Sequence, residues 1–434
     1  MIVELLAIFG GVASGIFVGL LPGIGTFSFI LAAYPLLLHL DLFAVFLFYI
    51  SIVFTTQFYG SVTAITTGAT GEITSVPAVT NGHQLLKQGF GYQALMTSAF
   101  SSVVASIISL FLVNLIIWSS PDISLFLSSK FRFAVFIMII FGLIFTSKNY
   151  IYAAIAAILG LIVGMVGWNE LFQTRILTFG LPQLDTGLNS YTILFGGLII
   201  PILYENIKQT FNENVTMPKA DKSPMFKYFY WGACIRGSLI GFFMGLIPGI
   251  SYLISSNVAE RVEKRISRDN NLWRNLISAE GANNAGAISS LLPFLIFSLP
   301  ILPSEAIIMG LFESNGYNVF TNNMLADWLI YSPILLVVLG MVNFLLSGYL
   351  YSPLVNFISF YQKQIYVLCF FVCCGLFLYT SITEYNLIVD TVLLITVILI
   401  QYVLKVQTIT FIYVYFVSTY FFNEVSYMVQ MFIL

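Results

Sequence analysis

Long apolar segments, separated by short polar ones, follow one another along the whole chain. The clearest of them occupy residues 95–118, 133–146 with 151–167, 190–204, 229–247, 328–350, 365–382, 386–404 and 407–422. An apolar segment of about 20 residues is long enough to cross a lipid bilayer as a helix. The pattern therefore predicts an all-α polytopic membrane protein with roughly 10 to 12 transmembrane helices and shorter re-entrant segments.

Composition supports this class and excludes several others. Of the 434 residues, 59% are hydrophobic and 8% are charged, whereas a soluble domain has about 25% charged residues. The net charge of −2 provides no basic surface, so we expect no nucleic acid partner. The four cysteines lie in apolar segments without histidine or acid nearby, so neither a metal site nor a disulfide framework is predicted. No catalytic pair of side chains is recognisable, which argues against an enzyme.

One arrangement of glycine and proline occurs twice. The motif GLLPGIG at 19–25 recurs as GLIPGIS at 245–251, and each copy follows glycines spaced four residues apart, Gly11 and Gly15 in the first and Gly237 and Gly241 in the second. The spaced glycines are typical of closely packed helices. The proline–glycine pairs instead end a helix inside the bilayer, where the freed backbone groups need partners. Two such breaks in matching halves indicate a binding site of a transporter.

The repeat divides the chain into four regions. We predict a first inverted repeat at 1–120, connecting spans and a polar linker at 121–228, a second inverted repeat at 229–350 and C-terminal transmembrane helices at 351–434. Five of the 17 basic residues follow the second break, whereas the matching loop at 35–48 has none. Because basic loops stay in the cytoplasm, this asymmetry predicts copies of opposite orientation. The lysines of 206–228 argue the other way if the broken segment crosses once, so the orientation of that loop stays open.

Polar side chains are concentrated beside the breaks and in two further stretches, 59–68 and 280–290, which are related by the same offset of 226 residues. Each stretch continues to another interruption, at 71–77 and at 293–303, so each half is predicted to combine a broken helix with a re-entrant hairpin. Helix N-termini, hydroxyls and amides at such places favour an anionic ligand; the alternative is that the hydroxyls bond to their own helices. The predicted substrate-binding residues are Gly23, Gly25, Thr26, Gly60, Ser61, Thr63, Thr66 and Thr67 on one side, and Gly249, Ser251, Asn283, Asn284, Ser289 and Ser290 on the other.

Three acids lie in or near apolar segments and are candidates for ion coupling: Glu280, Glu72 and Glu305. Ionisable groups inside a membrane are costly and are functional in most cases, since a buried carboxyl can carry a proton or hold a cation. The alternative is a helix cap or an acid exposed in a loop. We expect no cofactor other than a co-transported Na⁺ or H⁺.

Several motifs together resemble the large membrane subunit of tripartite tricarboxylate transporters, the TctA type of permease. They are GLLPGIG, YGSVTAI, NGHQLLKQGFGYQAL, LTFGLPQLDTGLNSYTILFGGL, GLIPGIS and EGANNAGA, and the resemblance covers roughly residues 5–350. It implies a permease with an inverted repeat and a site between two hairpin-bearing halves. It also implies coupling to Na⁺ or H⁺, a small membrane subunit and a periplasmic binding protein as partners, and a location in the prokaryotic cell membrane.

These observations predict a secondary active transporter, a symporter that imports a small carboxylate anion held between the two repeats. One alternative is a transporter or channel for a neutral small solute without ion coupling. A membrane scaffold without a transported solute is a further alternative, and a homodimer is compatible with each of them.

Overall fold

A computed structural model describes residues 2–21, 25–68, 73–119, 129–145, 147, 149–169, 174–208, 225–247, 251–267, 270–297, 299–316, 332–383, 386–404 and 408–433. Helices dominate this part of the chain, which confirms the predicted all-α polytopic class. An unpredicted antiparallel hairpin of two three-residue strands, β1 (Gly167–Asn169) and β2 (Thr174–Ile176), joins two of the helices.

The first half contains α1 (Ile2–Leu20), α2 (Thr26–Leu37), α3 (Leu42–Thr67), a 3₁₀ turn (Ile73–Ser75), a π-helical segment (Ala78–Gly82) that continues into α4 (His83–Lys87), and α5 (Gly91–Trp118). The connecting region contains α6 (Ser129–Phe145), α7 (Tyr150–Gly164), β1, β2, a 3₁₀ turn (Pro182–Leu184), α8 (Ser190–Leu194), a π-helical segment (Phe195–Ile199) and α9 (Ile200–Lys208). The rest contains a 3₁₀ turn (Met225–Tyr228), α10 (Trp231–Gly245), α11 (Ser251–Ser267), α12 (Leu272–Phe297), α13 (Pro303–Ser314), α14 (Ser332–Thr383), α15 (Leu387–Leu404) and α16 (Thr408–Ile433).

The helices of the two halves follow one another in the same order. α1, α2 and α3 correspond to α10, α11 and α12 when the chain is shifted by 226 residues, and their ends agree within a few positions. Pro77 and Pro303, which are also separated by this offset, both lie at the start of the next helical segment, where proline is tolerated because no N–H bond is lost. The helix ends agree with the predicted breaks, although Pro22, Gly23, Pro248 and Gly249 themselves lie outside the described residues. The opposite orientation of the two copies stays a prediction.

Two central helices, α3 and α12, carry the polar stretches. Residues 44–66 of α3 and 275–295 of α12 are buried without interruption, so both helices are surrounded by protein on all sides. α1 packs on α3 and α10 packs on α12. A Cβ atom on Gly15 would lie 2.6 Å from Cβ of Thr55, and one on Gly241 would overlap the carbonyl oxygen of Ala282. The spaced glycines therefore serve close helix packing, as predicted.

Four helical segments of the described part are long and apolar enough to cross a membrane: Ile2–Leu20, Leu42–Thr67, Gly91–Ile116 and Lys363–Thr383. Shorter apolar helices, such as Tyr150–Gly164 and Leu387–Tyr402, accompany them. The predicted total of roughly 10 to 12 crossings stays a prediction. The described part of the segment expected at 328–350, from residue 332, is joined with the segment expected at 365–382 in one helix, α14, of 52 residues.

The second interruption is shorter than predicted. α12 contains Pro293 and continues to Phe297, because a membrane helix surrounded by protein tolerates the one backbone bond that proline removes. The chain between α12 and α13 therefore begins near residue 298 instead of at Pro293.

The basic cluster after the second break is helical and not a loop. Arg261, Lys264 and Arg265 lie in the last turns of α11 and Arg274 lies in α12, while Arg268 lies outside the described residues. Positive charge at a helix C-terminus is favoured by the helix dipole. The buried carboxylate of Glu263 accepts hydrogen bonds from Arg236 of α10 and Arg274 of α12, at 2.8 and 2.9 Å from Oε1, and so ties three helices together.

Candidate functional site

Glu280 lies on the buried helix α12, where it faces α3 and the serine-bearing side of α5. Its side chain is 2% exposed, and the hydroxyls of Ser61 on α3 and Ser98 on α5 lie within hydrogen-bonding reach of its carboxyl group. Within the described structure, Oε2 of this carboxyl makes no hydrogen bond. A buried carboxyl oxygen without a donor is costly. A bound proton, cation or water molecule at this oxygen would remove that cost in free energy.

Two asparagines extend this polar face of α12. Asn283 and Asn284 follow Glu280 by three and four residues and so lie on the same side of the helix. Asn284 donates to Oγ of Ser102 at 2.7 Å. In the described part of the structure, neither polar atom of the Asn283 side chain has a partner, nor does Oδ1 of Asn284.

The free acceptors of this face form one group. Glu280, Asn283 and Asn284 together present carboxyl and amide oxygens without donors, which are the hard oxygen ligands that small cations prefer. No group of three His, Cys, Asp or Glu side chains lies together in the described ranges, so a transition-metal centre of the usual kind is not formed by these residues. Together these oxygens can hold a proton or an alkali cation, and the Asn283 amide can contact a carboxylate.

Five of the predicted residues of the first half lie toward the C-terminal end of α3, and the hydroxyls of four of them are bonded to backbone. Thr63 donates to the carbonyl oxygen of Gly19 at 2.7 Å, which satisfies a carbonyl at the end of α1 just before the break. Ser61, Thr66 and Thr67 donate to carbonyls four residues earlier in their own helix. These hydroxyl oxygens can still accept a hydrogen bond or contact a cation, but their protons are already donated. This agrees with the alternative that the hydroxyls bond to their own helices.

The remaining predicted residues are placed as follows. Ser289 and Ser290 of α12 are buried and donate to carbonyls three residues earlier. Gly25 precedes α2, Thr26 begins α2 and is 6% exposed, and Gly60 is buried in α3. Gly23, Gly249 and Glu72 lie outside the described residues, as does the side chain of Ser251, the first residue of α11. The structure thus brings Ser61 together with Glu280, whereas Thr63 faces α1.

Glu305 has a clear structural role. It is fully buried near the start of α13, and its Oε2 accepts hydrogen bonds from the backbone N–H groups of Ile301 and Leu302 at 2.7 and 2.9 Å. These are N–H groups at the start of a helix that otherwise have no intrahelical partner. The helix-cap alternative is therefore realised in the structure, although Oε1 makes no hydrogen bond among the described residues. A role of Glu305 in ion coupling stays a prediction.

Sequence reasoning missed the serine face of α5. Ser98, Ser102 and Ser106 are spaced four residues apart and are all buried, and Ser101 donates to the carbonyl oxygen of Ile277 on α12 at 2.8 Å. This face of the helix provides the third wall around Glu280. The spacing of serines within an otherwise apolar helix was a signal that could have found it.

Two cavities lie elsewhere in the molecule. One, of about 160 Å³, has mainly polar lining and is bordered by Tyr34, Asn189, Ser190, Ser314 and Thr380 among others. The other is an apolar groove of about 220 Å³ between α1, α2, α9 and α14. None of the predicted substrate-binding residues lines either of them. Glu280, Asn283 and Asn284 are themselves at most 2% exposed, so protein surrounds them closely.

Comparison with known proteins gives a consistent result. The family described as the tripartite tricarboxylate transporter TctA family matches residues 5–415. An uncharacterized 52.8 kDa protein in the TAR-I ttuC' 3' region of Agrobacterium vitis is 26% identical over 317 residues, 71% of this chain and 63% of that protein.

A second relative matches a shorter part of the chain. An uncharacterized protein of Methanocaldococcus jannaschii is 28% identical over 269 residues, 59% of this chain and 62% of that protein. The chain thus spans a little over three fifths of the length of these curated relatives. No solved structure matches.

Proposed function

Because the chain belongs to the tripartite tricarboxylate transporter TctA family, a family of membrane transporters and not of enzymes, we propose that it is a secondary active symporter. In this proposal it imports a small carboxylate anion together with Na⁺ or H⁺. The single observation that carries the proposal is the enclosed face of α12, where Glu280, Asn283 and Asn284 present polar atoms without partners. Such groups inside a membrane protein mark ion and substrate pathways.

The ion is proposed to bind at Glu280. Its free carboxyl oxygen and the free Oδ1 of Asn284 are four residues apart on one helix face, and the hydroxyls of Ser61 and Ser98 complete a small oxygen-rich site. A cation or proton there neutralises the carboxylate. An incoming anion then meets the amide of Asn283 and the start of α2 and α11 without repulsion from Glu280.

The substrate is proposed to lie between the polar ends of α3 and α12, beside the two breaks. No lysine or arginine lies in the polar stretches 59–68 and 280–290, and the hydroxyl protons of Ser61, Thr63 and Ser290 are already bonded to backbone. The anion is therefore held by the free amide of Asn283, by helix N-termini and by the co-bound cation. Closely packed side chains around Glu280 require a movement of the surrounding helices before solute enters. A conformational cycle that exposes the site alternately to the two sides of the membrane provides this movement.

The proposed partners follow from the family. A small membrane subunit and a periplasmic binding protein are expected to assemble with the chain in the cytoplasmic membrane of a prokaryote. The second candidate function, passage of a neutral solute without ion coupling, lacks a role for the free carboxyl oxygen of Glu280.

Thermal stability of the purified protein tests the proposal. Mono-, di- and tricarboxylates are added with and without Na⁺ at two pH values, and the transition temperature is measured. We expect a carboxylate to stabilise the protein, and Na⁺ or a lower pH to increase the shift, because bound ligand stabilises only the folded state. Stabilisation by sugars or amines alone would contradict the proposal.

Variants sharpen this experiment. Glu280→Gln is expected to abolish the ion-dependent part of the shift, since it removes the ionisable group with little change in size. Glu205→Gln, at an exposed residue of α9 outside the polar stretches, is the control for removal of a carboxylate and is expected to keep the ion-dependent part of the shift. In proteoliposomes, uptake that continues unchanged after the ion gradients are collapsed would favour the neutral-solute alternative.

A further inference from the structure

The short helix that follows the central helix of each half contacts the other half of the molecule. We name residues 76–87 the first hairpin helix and α13 the second hairpin helix. The first packs on α12 of the second half, while the 3₁₀ turn just before it packs on α11. The second packs on α2 and α3 of the first half. The central helix of each half is therefore covered in part by the hairpin helix of the other half.

Two hydrogen-bonded contacts between the halves originate from equivalent positions. Tyr34 on α2 and Glu260 on α11 are separated by the repeat offset of 226 residues. The hydroxyl of Tyr34 lies 3.1 Å from Oγ of Ser314 on the second hairpin helix. Oε1 of Glu260 accepts from Nδ2 of Asn81 at 2.6 Å, on the first hairpin helix.

Thr80 and Lys264 complete the second of these contacts. The same carboxyl oxygen of Glu260 accepts from Oγ1 of Thr80 at 3.2 Å and from Nζ of Lys264, one turn further along α11, at 2.8 Å. Three donors therefore converge on one acceptor, of which two come from the other half.

A second pair of contacts also starts from equivalent positions, here on the central helices. Tyr49 on α3 and Asn275 on α12 are also 226 residues apart. The hydroxyl of Tyr49 lies 3.1 Å from Oγ of Ser304 on the second hairpin helix. Nδ2 of Asn275 donates to Oδ1 of Asn81 on the first, at 3.3 Å. Asn81 is thus held through both polar atoms of its side chain.

The residue types at the equivalent positions differ, and so do the places that they contact. Ser304 and Ser314 lie near the two ends of the second hairpin helix, whereas Glu260 and Asn275 both contact Asn81 on the first. One hairpin helix is held through two tyrosine hydroxyls, which are neutral, and the other through a carboxylate and an amide. Hydrogen bonds to a charged group are roughly twice as strong as neutral ones. In addition, Tyr34 and Ser314 border the polar cavity of about 160 Å³, where water can compete for the same hydrogen bond. The two contacts are therefore unequal in strength.

We propose that Tyr34 and Glu260 are positioning residues, each of which holds the hairpin helix of the opposite half in its closed place, and that the contact of Tyr34 opens more readily than that of Glu260. This rests on the proposed function in one respect: in a transporter, the opening of each contact admits solute from one side of the central site. Because the contacts are unequal, the hairpin helix held by Tyr34 is expected to open more often in the resting molecule than the one held by Glu260.

Hydrogen–deuterium exchange of the purified full chain, followed by mass spectrometry, tests the proposal without any transported solute. In the wild type, we expect faster exchange at 303–314 than at 76–87. Tyr34→Phe removes only the hydroxyl and is expected to speed exchange at 303–314 by roughly five-fold, with 76–87 unchanged. Asn81→Asp places a second carboxylate against Glu260 and is expected to speed exchange at 76–87 by roughly ten-fold or more, with 303–314 unchanged.

A compensating substitution distinguishes a positioning role from general damage. Combining Asn81→Asp with Glu260→Gln exchanges the carboxylate and the amide, which restores one donor and one acceptor, so protection at 76–87 is expected to return. Tyr402→Phe, at a tyrosine that is 82% exposed, is the control for loss of a hydroxyl. Where Asn81→Asp does not fold, Glu260→Ala and Glu260→Gln replace it. Protection at 76–87 is expected to be lost in the first and only partly lost in the second, which keeps an acceptor oxygen without its charge.

Three results would overturn the proposal: no change at 303–314 in Tyr34→Phe, equal acceleration of both hairpin helices in each variant, or no recovery in the double substitution. The proposed function fails separately. If the exchange results are as expected while no carboxylate, with or without Na⁺, stabilises the protein, the positioning residues stand and the transport assignment does not.

Discussion

At the scale of single residues, buried polar side chains fall into two groups. Thr63, Thr66 and Ser290 are buried with their hydroxyls bonded to backbone carbonyls. Because these hydroxyl protons are already bonded, the three residues contribute little to the binding of a ligand. Glu280 and Asn283 are equally buried and keep polar atoms without partners in the described structure. Because an unsatisfied buried group costs free energy, the second group is where a ligand gains most.

Two substitutions of Glu305 distinguish a structural role of its carboxylate from a role in ion coupling. Glu305→Ala removes both bonds to the N–H groups of Ile301 and Leu302 and is expected to lower the free energy of unfolding by about 1 kcal/mol. Glu305→Gln keeps an acceptor oxygen and is expected to cost less. Both are measured by denaturation of the purified protein.

Uptake in the same variants addresses ion coupling. If Glu305 only caps α13, Glu305→Gln retains ion-dependent uptake at nearly the wild-type level. If uptake of this variant loses its dependence on the ion while the protein stays stable, Glu305 also belongs to the coupling site.

At the scale of elements, close pairs of helices form the frame of the molecule. α10 approaches α12 so closely that a Cβ on Gly241 would overlap the carbonyl oxygen of Ala282, and α1 approaches α3 in the same way at Gly15. Such contact brings many atoms within van der Waals range, which is the main attraction between helices inside a bilayer. These pairs keep the polar faces of α3 and α12 in a fixed relation.

Gly241→Ala is expected to destabilise the protein by about 1 to 3 kcal/mol, because the added methyl group forces α10 away from α12. Gly375→Ala in α14 is the control, since a Cβ there meets nothing within 4 Å; it is expected to be neutral or slightly stabilising. Thermal unfolding of the two variants measures the difference. Equal transition temperatures would show that the α10–α12 contact is looser than described.

The elements were predictable where local chemistry decides them. Proline and glycine predicted the ends of α1 and α10, and long apolar runs predicted helices such as α5, α6 and α7. The interruption predicted at Pro293 was wrong, because a single proline does not end a helix that is enclosed by protein. The contacts of Glu280 with Ser61 and Ser98 were not predictable, since they join residues about 180 to 220 positions apart and periodicity carries no information on such pairs.

At the scale of the whole molecule, the repeat gives two sets of helices with a common order. The sequence predicts that the two sets have opposite orientations, because five basic residues lie at 261–274 and no lysine or arginine lies in the matching stretch 35–48. The hairpin helix of each half packs on helices of the other half. This packing is expected when two related units form one molecule.

Labelling from the two sides of the membrane tests the opposite orientation. His39→Cys after α2 and Arg265→Cys in α11 are at exposed positions, whereas Cys234 and Cys373 are buried. With a membrane-impermeant maleimide on intact cells, we expect labelling of His39→Cys and not of Arg265→Cys, with both labelled after lysis. The wild type controls for the natural cysteines. Labelling of both variants from outside would show that the copies are parallel.

The hydrogen bond between Asn81 and Glu260 joins residues 179 positions apart, and this separation has a consequence for biosynthesis. At ribosomal speeds of about 5 to 20 residues per second, roughly 10 to 35 s pass between the appearance of the two residues. During that interval the first hairpin helix has been made and its partner has not. The nascent chain therefore waits with the Asn81 amide bonded only within its own segment, to the carbonyl oxygen of Pro77 and the hydroxyl of Thr80, and only the arrival of α11 supplies the carboxylate partner from the second half.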